Sequence, residues 1–263
     1  MSSNKSPLRY PGGKTRACGK LAKIFAEHFD PRGFRYLISP FFGGGSFEFH
    51  LQNLYDYEVF ANDKFTPLVS FWQVCKEDSK GLCGELYKDV GGVTKEKFLE
   101  YRNRIIGERD LLTQAQLYFT INRCSFSGAT LSGGFSEEAS QKRMTKSSIE
   151  RVEKMDLRKF SFDNYDFAEF LEKNRQTSAF IFLDPPYYLE KGSKLYGVKG
   201  DLHEDFDHQK LASTLAKRRN WLMTYNDCQF IRDLYAEFKI VEVDWSYGMN
   251  KSKKSSELVI IST

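Results

Sequence analysis

Nowhere in its 263 residues does the chain carry a run of 18 or more apolar residues, and its opening stretch, MSSNKSPLRY, holds no apolar segment. Neither a membrane span nor a secretory leader is therefore expected. The cysteines, Cys18, Cys75, Cys83, Cys124 and Cys228, are odd in number, widely scattered and never spaced as C-x-x-C. That pattern speaks against a disulfide framework and against a zinc site, so no metal is expected and a reducing, cytoplasmic setting fits. Internal repeats are absent. The charge excess is small, +4, which permits a nucleic-acid partner without requiring one.

What is present is an ordinary globular composition, 41% hydrophobic and 15% aromatic, with 23 Phe promising a dense core. The length allows one large domain or two modest ones. Residues 13–29 space Leu21, Ile24, Phe25 and Phe29 at helical intervals after a Pro-Gly-Gly turn. Short buried strands are expected at 35–39 and 57–61, followed by a helix at 66–76. From about 77 to 158 the pattern becomes helical (94–107 and 111–121), then runs into a Gly/Ser-rich loop. Within 141–160 stand seven basic residues, Lys142, Arg143, Lys146, Arg151, Lys154, Arg158 and Lys159, against three acidic ones. Such a run reads either as a phosphate-binding surface or as a solvated helix face. Beyond 159, strands (KFSF, 179–183, 220–225) alternate again with helices (166–174, 206–218, 228–236), and strands at 239–245 and 257–262 close the chain. This alternation predicts an α/β fold with a doubly wound, mostly parallel sheet and an antiparallel edge hairpin. The expected division is a domain of 1–76 with 159–263, interrupted by a mainly helical insertion at 77–158.

Three blocks carry candidate chemistry. Asp184-Pro185-Pro186-Tyr187 directly follows the apolar strand AFIFL, at the strand end where open α/β sheets bind ligands. The prolines fix φ and donate no N–H, leaving their carbonyls as rigid acceptors. The Asp184 carboxylate and the Pro185 carbonyl can accept both hydrogens of an exocyclic amine, freeing its lone pair for attack on a sulfonium methyl. Tyr187 offers a face for stacking a base. The bland alternative is a turn ending a strand. Pro40-Phe41-Phe42-Gly43-Gly44-Gly45-Ser46 lies at a strand-to-helix turn, where glycines let the backbone approach a ligand. It is not G-x-G-x-x-G, because Glu48 stands in the third position. Asp63, at the next strand end, reads either as a ribose acceptor or as a helix N-cap. Finally, Arg9-Tyr10-Pro11-Gly12-Gly13-Lys14 contains Gly-Lys-Thr, yet Leu8 occupies the place of the first Walker glycine, so nucleotide hydrolysis is disfavoured. Lys14 reads as a partner for a ligand carboxylate or as an exposed turn lysine.

Together these blocks resemble the Dam-like (alpha) group of DNA N6-adenine methyltransferases. The resemblance extends to Ala61-Asn62-Asp63, Asn122-Arg123, Asp166-Phe167, Tyr225-Asn226-Asp227 and Glu257-Leu258, nearly the whole chain. It implies the S-adenosylmethionine-dependent methyltransferase fold, with 77–158 as target-recognition domain. It also implies methyl transfer from S-adenosylmethionine, leaving S-adenosylhomocysteine, to a flipped-out adenine of double-stranded DNA, in restriction-modification or chromosome marking. The implied cofactor contacts are Tyr10, Lys14, Phe41, Gly43, Gly45, Asp63, Asp166, Phe167 and Asp184, while Asp184, Pro185, Pro186 and Tyr187 hold the base. DNA contacts are expected from Arg9, Asn122, Arg123, Ser127, Lys142, Arg143 and Lys146. Neither a membrane nor an obligate protein partner is implied. The work would be done in the cytoplasm, on a nucleoid or in a virus-infected host cell. Two rivals remain: N4-cytosine methylation, usually marked by Ser in place of Asp184, and a catalytically silent DNA-binding relative.

Two positions depart from that family pattern. Before Pro-Phe the group usually carries an acid that would pair with the cofactor's ammonium, and here Ser39 stands. Where members that read GATC carry a guanine-contacting arginine, this chain has Leu131, which can at best touch a thymine methyl. The expected recognition site contains adenine, is read largely through residues 122–146, and differs from strict GATC or relaxes it at one position.

Overall fold

The computed structural model describes residues 4–188, 206–245 and 255–262. Seven strands form one sheet: β1 (Tyr36–Ser39), β2 (Glu58–Asn62), β3 (Phe160–Asp163), β4 (Ala179–Leu183), β5 (Trp221–Asn226), β6 (Lys239–Trp245) and β7 (Ser255–Ile261). Their order is β3-β2-β1-β4-β5-β7-β6. The first five are parallel, and β7 inserts antiparallel between β5 and β6. The expected closing hairpin therefore forms the sheet's far edge. The strand order reverses between β1 and β4, which pair Leu37 with Phe180, so a crevice for a ligand opens at their carboxyl ends.

Both faces of the sheet are covered, as its strands' near-continuous apolar runs require. Alternate residues point to opposite sides: Leu37, Phe180, Phe182, Leu222 and Val259 join one apolar cluster, while Ile38, Ile181, Leu183, Met223 and Leu258 join the other. The first cluster is capped by α1 (Cys18–His28), α2 (Ser46–Tyr55) and α3 (Thr66–Glu77) through Phe25, Phe47 and Trp72. The second is capped by α9 (Phe167–Lys173), α10 (His208–Leu215) and α11 (Gln229–Leu234) through Phe170, Leu211 and Ile231.

Between α3 and β3 lie α4 (Ser79–Tyr87), α5 (Lys95–Arg104), α6 (Leu111–Cys124), α7 (Glu137–Arg143) and α8 (Lys146–Glu153). Their buried residues Leu82, Phe98, Phe119 and Ile149 belong to the same continuous cluster as Leu37. Periodicity reveals α5 and α6, which are long. It misses α4, α7 and α8, each of nine residues or fewer and each opened by a side-chain cap. Ser136 accepts from the Ala139 amide, and Thr145 exchanges reciprocal bonds with Ser148, each satisfying amides a helix start leaves open. The helix expected over 13–29 is shorter: Gly12 takes a left-handed φ of 72°, Lys14–Arg16 form a 3-10 turn, and α1 begins at Cys18. No helix among the described residues is long and apolar enough to cross a membrane.

Candidate active site

The loop after β1 is built around glycines that no other residue could replace. Gly43 and Gly45 have φ of 50° and 66°, in the left-handed region. A Cβ on Gly43 would sit 2.9 Å from the Tyr10 ring, so Tyr10 lies flat against this loop. Trp72 Nε1 donates to the Gly43 carbonyl at 3.0 Å, and Phe42 is buried edge-on against Trp72 and Phe162. From the end of β2, Asp63 accepts from the amides of Gly43 and Phe65, both at 2.9 Å. Asn62 ties the three loops together: its amide donates to the carbonyls of Pro40 and Tyr165, and its oxygen accepts from the Tyr165 amide. That clamp had no signature beyond its place beside Asp63.

At the neighbouring strand end, Asp184 is the meeting point of elements far apart in the chain. Lys14, 3% exposed, reaches both its carboxylate oxygens at 2.8 and 2.9 Å. Thr224 Oγ1, on β5, donates to the same group at 2.6 Å. The exposed-turn reading of Lys14 is thereby corrected: the ammonium is buried and engaged by the protein's own carboxylate. Pro185 is buried and Pro186 half-buried. Tyr187 donates from its hydroxyl to Glu257 on β7 at 2.8 Å and stacks on Tyr225 at 5.8 Å, so its ring is fixed at the mouth of the crevice.

On the other side, Phe41 faces Phe167 and Phe206, each with ring centroids 5.6 Å away. Phe167 and Phe206 also meet each other at 5.4 Å, so the three rings form one aromatic cluster. Asp166 caps α9, accepting from the Ala168 amide at 3.1 Å, and pairs with Lys210 and Lys64. Its carboxyl is held below the usual range: the Lys210 bond leads the causes that outweigh its partial burial. The aromatic cluster, the two carboxylates Asp63 and Asp184, and the glycine turn offer the groups that a nucleoside with a charged tail needs.

Away from this crevice, the residues expected at DNA divide into two kinds. Asn122 is fully buried; it brackets the Arg9 main chain, accepting its amide at 3.1 Å and donating to its carbonyl at 2.7 Å, and donates also to Gly128. Arg123 is buried too, its guanidinium donating to the carbonyls of Arg143 and Pro7. Burial, then the nearby Arg151, Arg9 and Arg143, lowers it to about 10. Both side chains are thus consumed by scaffolding, because a buried amide and guanidinium must be satisfied internally. Lys142 is spent in part on Glu138 at 3.0 Å. Lys146 is exposed at the start of α8, and Ser127 is half-buried with a left-handed φ of 58°. Arg9 and Arg143 stand close enough to repel each other and the Arg123 guanidinium. Burial and then Arg143 lower Arg9, and one terminal nitrogen of Arg143 is buried without a hydrogen-bond partner.

Leu131 is 5% exposed inside the core. The thymine-methyl contact offered for it is corrected, since its side chain does not reach the surface. Next to it, Phe126 is 70% exposed on the same strained loop. Sequence reasoning missed this residue because an exposed Phe looks like a core Phe in one dimension.

With this geometry in place, comparison with known proteins is informative. The model for D12 class N6 adenine-specific DNA methyltransferases matches residues 10–249. The type II methyltransferase M.MjaIII of Methanocaldococcus jannaschii is 25% identical, covering 90% of this chain and 89% of its own length. The type II methyltransferase M.CviBI of Paramecium bursaria Chlorella virus NC1A is 23% identical, covering 92% and 91%. The matched stretch runs from the Tyr10 loop through Asp184 and β6, and the chain belongs to the D12 class N6 adenine-specific DNA methyltransferases.

Proposed function

We propose that this adenine-specific DNA methyltransferase binds S-adenosylmethionine across the β1–β4 crevice and acts on adenine turned out of double-stranded DNA. The carrying observation is the convergence of Asp184, Lys14 and Tyr187 on one strand end beside the Gly43 turn and Asp63. Asp63 would accept the ribose hydroxyls, and Phe41 with Phe167 would cover the adenine ring of the cofactor. Bound there, S-adenosylmethionine supplies a methyl group on a positively charged sulfur. Asp184 and the Pro185 carbonyl accept the two hydrogens of the target amine, which keeps its lone pair aimed outward. Tyr187, fixed by Glu257, stacks on the base, which must leave the duplex to reach this depth. Lys14 keeps the Asp184 carboxylate in place until the amine arrives, then shares it. Thr224 holds the remaining lone pair.

The helical segment 77–158 reads the duplex. Arg9 and Arg143, with Arg151 and Lys146 near them, suit phosphates. Phe126 is shaped to enter the stack that the target base leaves. With Leu131 buried and Arg123 committed, guanine readout falls to Arg143 or is relaxed, which favours a site other than strict GATC. The order of blocks further supports placement in the Dam-like group, working in the cytoplasm.

The test is incubation of the purified protein with S-adenosylmethionine and plasmid DNA, then mass spectrometry of nucleosides and methylation mapping. N6-methyladenine from the duplex at one defined motif is expected. Methylation of single strands only, or confined to GATC with ordinary fidelity, would overturn the corresponding part of the reading.

A further inference from the structure

The first turn of α2 contains an acid where the packing calls for none. Phe47 and Phe49 enter the core, and Glu48 between them is just as buried, 2% exposed. A buried carboxylate is unfavourable unless a cation or several donors meet it. Its side chain is met by Ser39, whose hydroxyl donates at 2.6 Å. Lys14, the nearest cation, places its ammonium on Asp184 instead. The side chain of Glu48 thus occupies the space at the end of β1 that a longer acid at position 39 would fill. Two acids there would collide and repel, so one position or the other can supply the carboxylate.

We infer that Glu48, supported by Ser39, holds the α-ammonium of S-adenosylmethionine in this chain. The local charges agree. Lys14 and Asp184 offset each other, so among the described residues no further cation is left to offset Glu48 when it ionises. A methionine tail with ammonium, carboxylate and sulfonium brings one net positive charge. The free site behaves as though a cation were missing: burial, only partly offset by the Ser39 bond, pushes the Glu48 carboxyl up to about 8, with Asp184 raising it and Lys14 lowering it. From α1, the Cys18 thiol also faces this acid; burial and Glu48 raise it to about 12, so it stays neutral.

The inference rests on the cofactor reading above, and the measurement separates the two. Binding of S-adenosylmethionine, S-adenosylhomocysteine and 5′-methylthioadenosine, which lacks the amino-acid tail, is measured by calorimetry on wild type and Glu48→Gln. The variant should bind the two tailed ligands at least about tenfold more weakly and 5′-methylthioadenosine nearly as well as wild type. At pH 6.5, where an α-amine is already protonated, wild type should release a proton on binding S-adenosylmethionine but not 5′-methylthioadenosine. The double variant Ser39→Glu with Glu48→Gln should recover much of the lost affinity. Undiminished binding of the tailed ligands by Glu48→Gln overturns the inference and leaves the cofactor reading standing. If the variant binds nothing, the wild-type proton release decides, and its absence overturns the inference. A wild-type chain that binds none of the three removes both.

Discussion

At the carboxyl ends of the strands, charged side chains from remote parts of the chain meet. Lys14 pairs with Asp184, and Glu48 and Asp63 stand beside the same glycine turn. Along α7 and α8, by contrast, charges mostly pair with near neighbours: Lys142 with Glu138, Lys154 with Glu150 and Arg158 with Asp156. Lys159 pairs with Asp56 instead. The first arrangement is buried and coupled, so each group changes what its neighbour can do. The second is exposed and screened, where such pairs contribute little. A basic excess counted along a segment therefore overstates its attraction for DNA. What remains there is the small group of arginines gathered about Arg123, namely Arg9, Arg143 and Arg151.

The comparison breaks most visibly at Asp184. Replacing it by Ala should lower the methylation rate at saturating S-adenosylmethionine by on the order of 10²-fold or more. Near-normal turnover in that variant would remove Asp184 from the reacting centre.

Next in size is the joint between the two regions. Asn122→Ala leaves the Arg9 amide and carbonyl without their partner, at a cost of about 1–3 kcal/mol. Urea unfolding should show the loss, and Lys142→Ala, as the exposed control, should show none.

Glu48 should reveal itself in the pH dependence of stability without any ligand. Its folded carboxyl titrates at about 8, above the ordinary value near 4.3 in an unfolded chain. The folded state then binds the proton more tightly, so this carboxyl's contribution to stability is fully present below pH ~4 and is lost as the pH rises toward 8. Glu48→Gln removes that decline. Thermal unfolding of the free protein should show the variant more stable than wild type at pH 8.5, by roughly 1–3 kcal/mol, and equal to it at pH 4.5. Parallel curves would mean that Glu48 is not strained in the free protein.

The smallest effect concerns phosphates. Arg143→Ala should reduce the slope of log affinity against log salt by about 1. Lys142→Ala should leave the slope nearly unchanged, since its charge is already met by Glu138. Equal effects from both would erase the distinction between the paired and unpaired cations of this segment.

The one-dimensional sequence determined the alternation of strands and helices, the closing hairpin, and the three blocks at Tyr10, Gly43 and Asp184. Those features are local: apolar runs of strand length, glycines at positive φ, and two prolines after a strand declare themselves within a few residues. Only the tertiary structure decided which charges meet. The Lys14–Asp184 pair spans 170 positions, and Glu48 gains its meaning from Ser39 on another element. Burial likewise separated residues of similar appearance, hiding Leu131 and exposing Phe126, and it turned Asn122 and Arg123 inward to satisfy backbone groups. Pairing and burial depend on contacts between elements distant in the chain, which no local pattern of residues encodes.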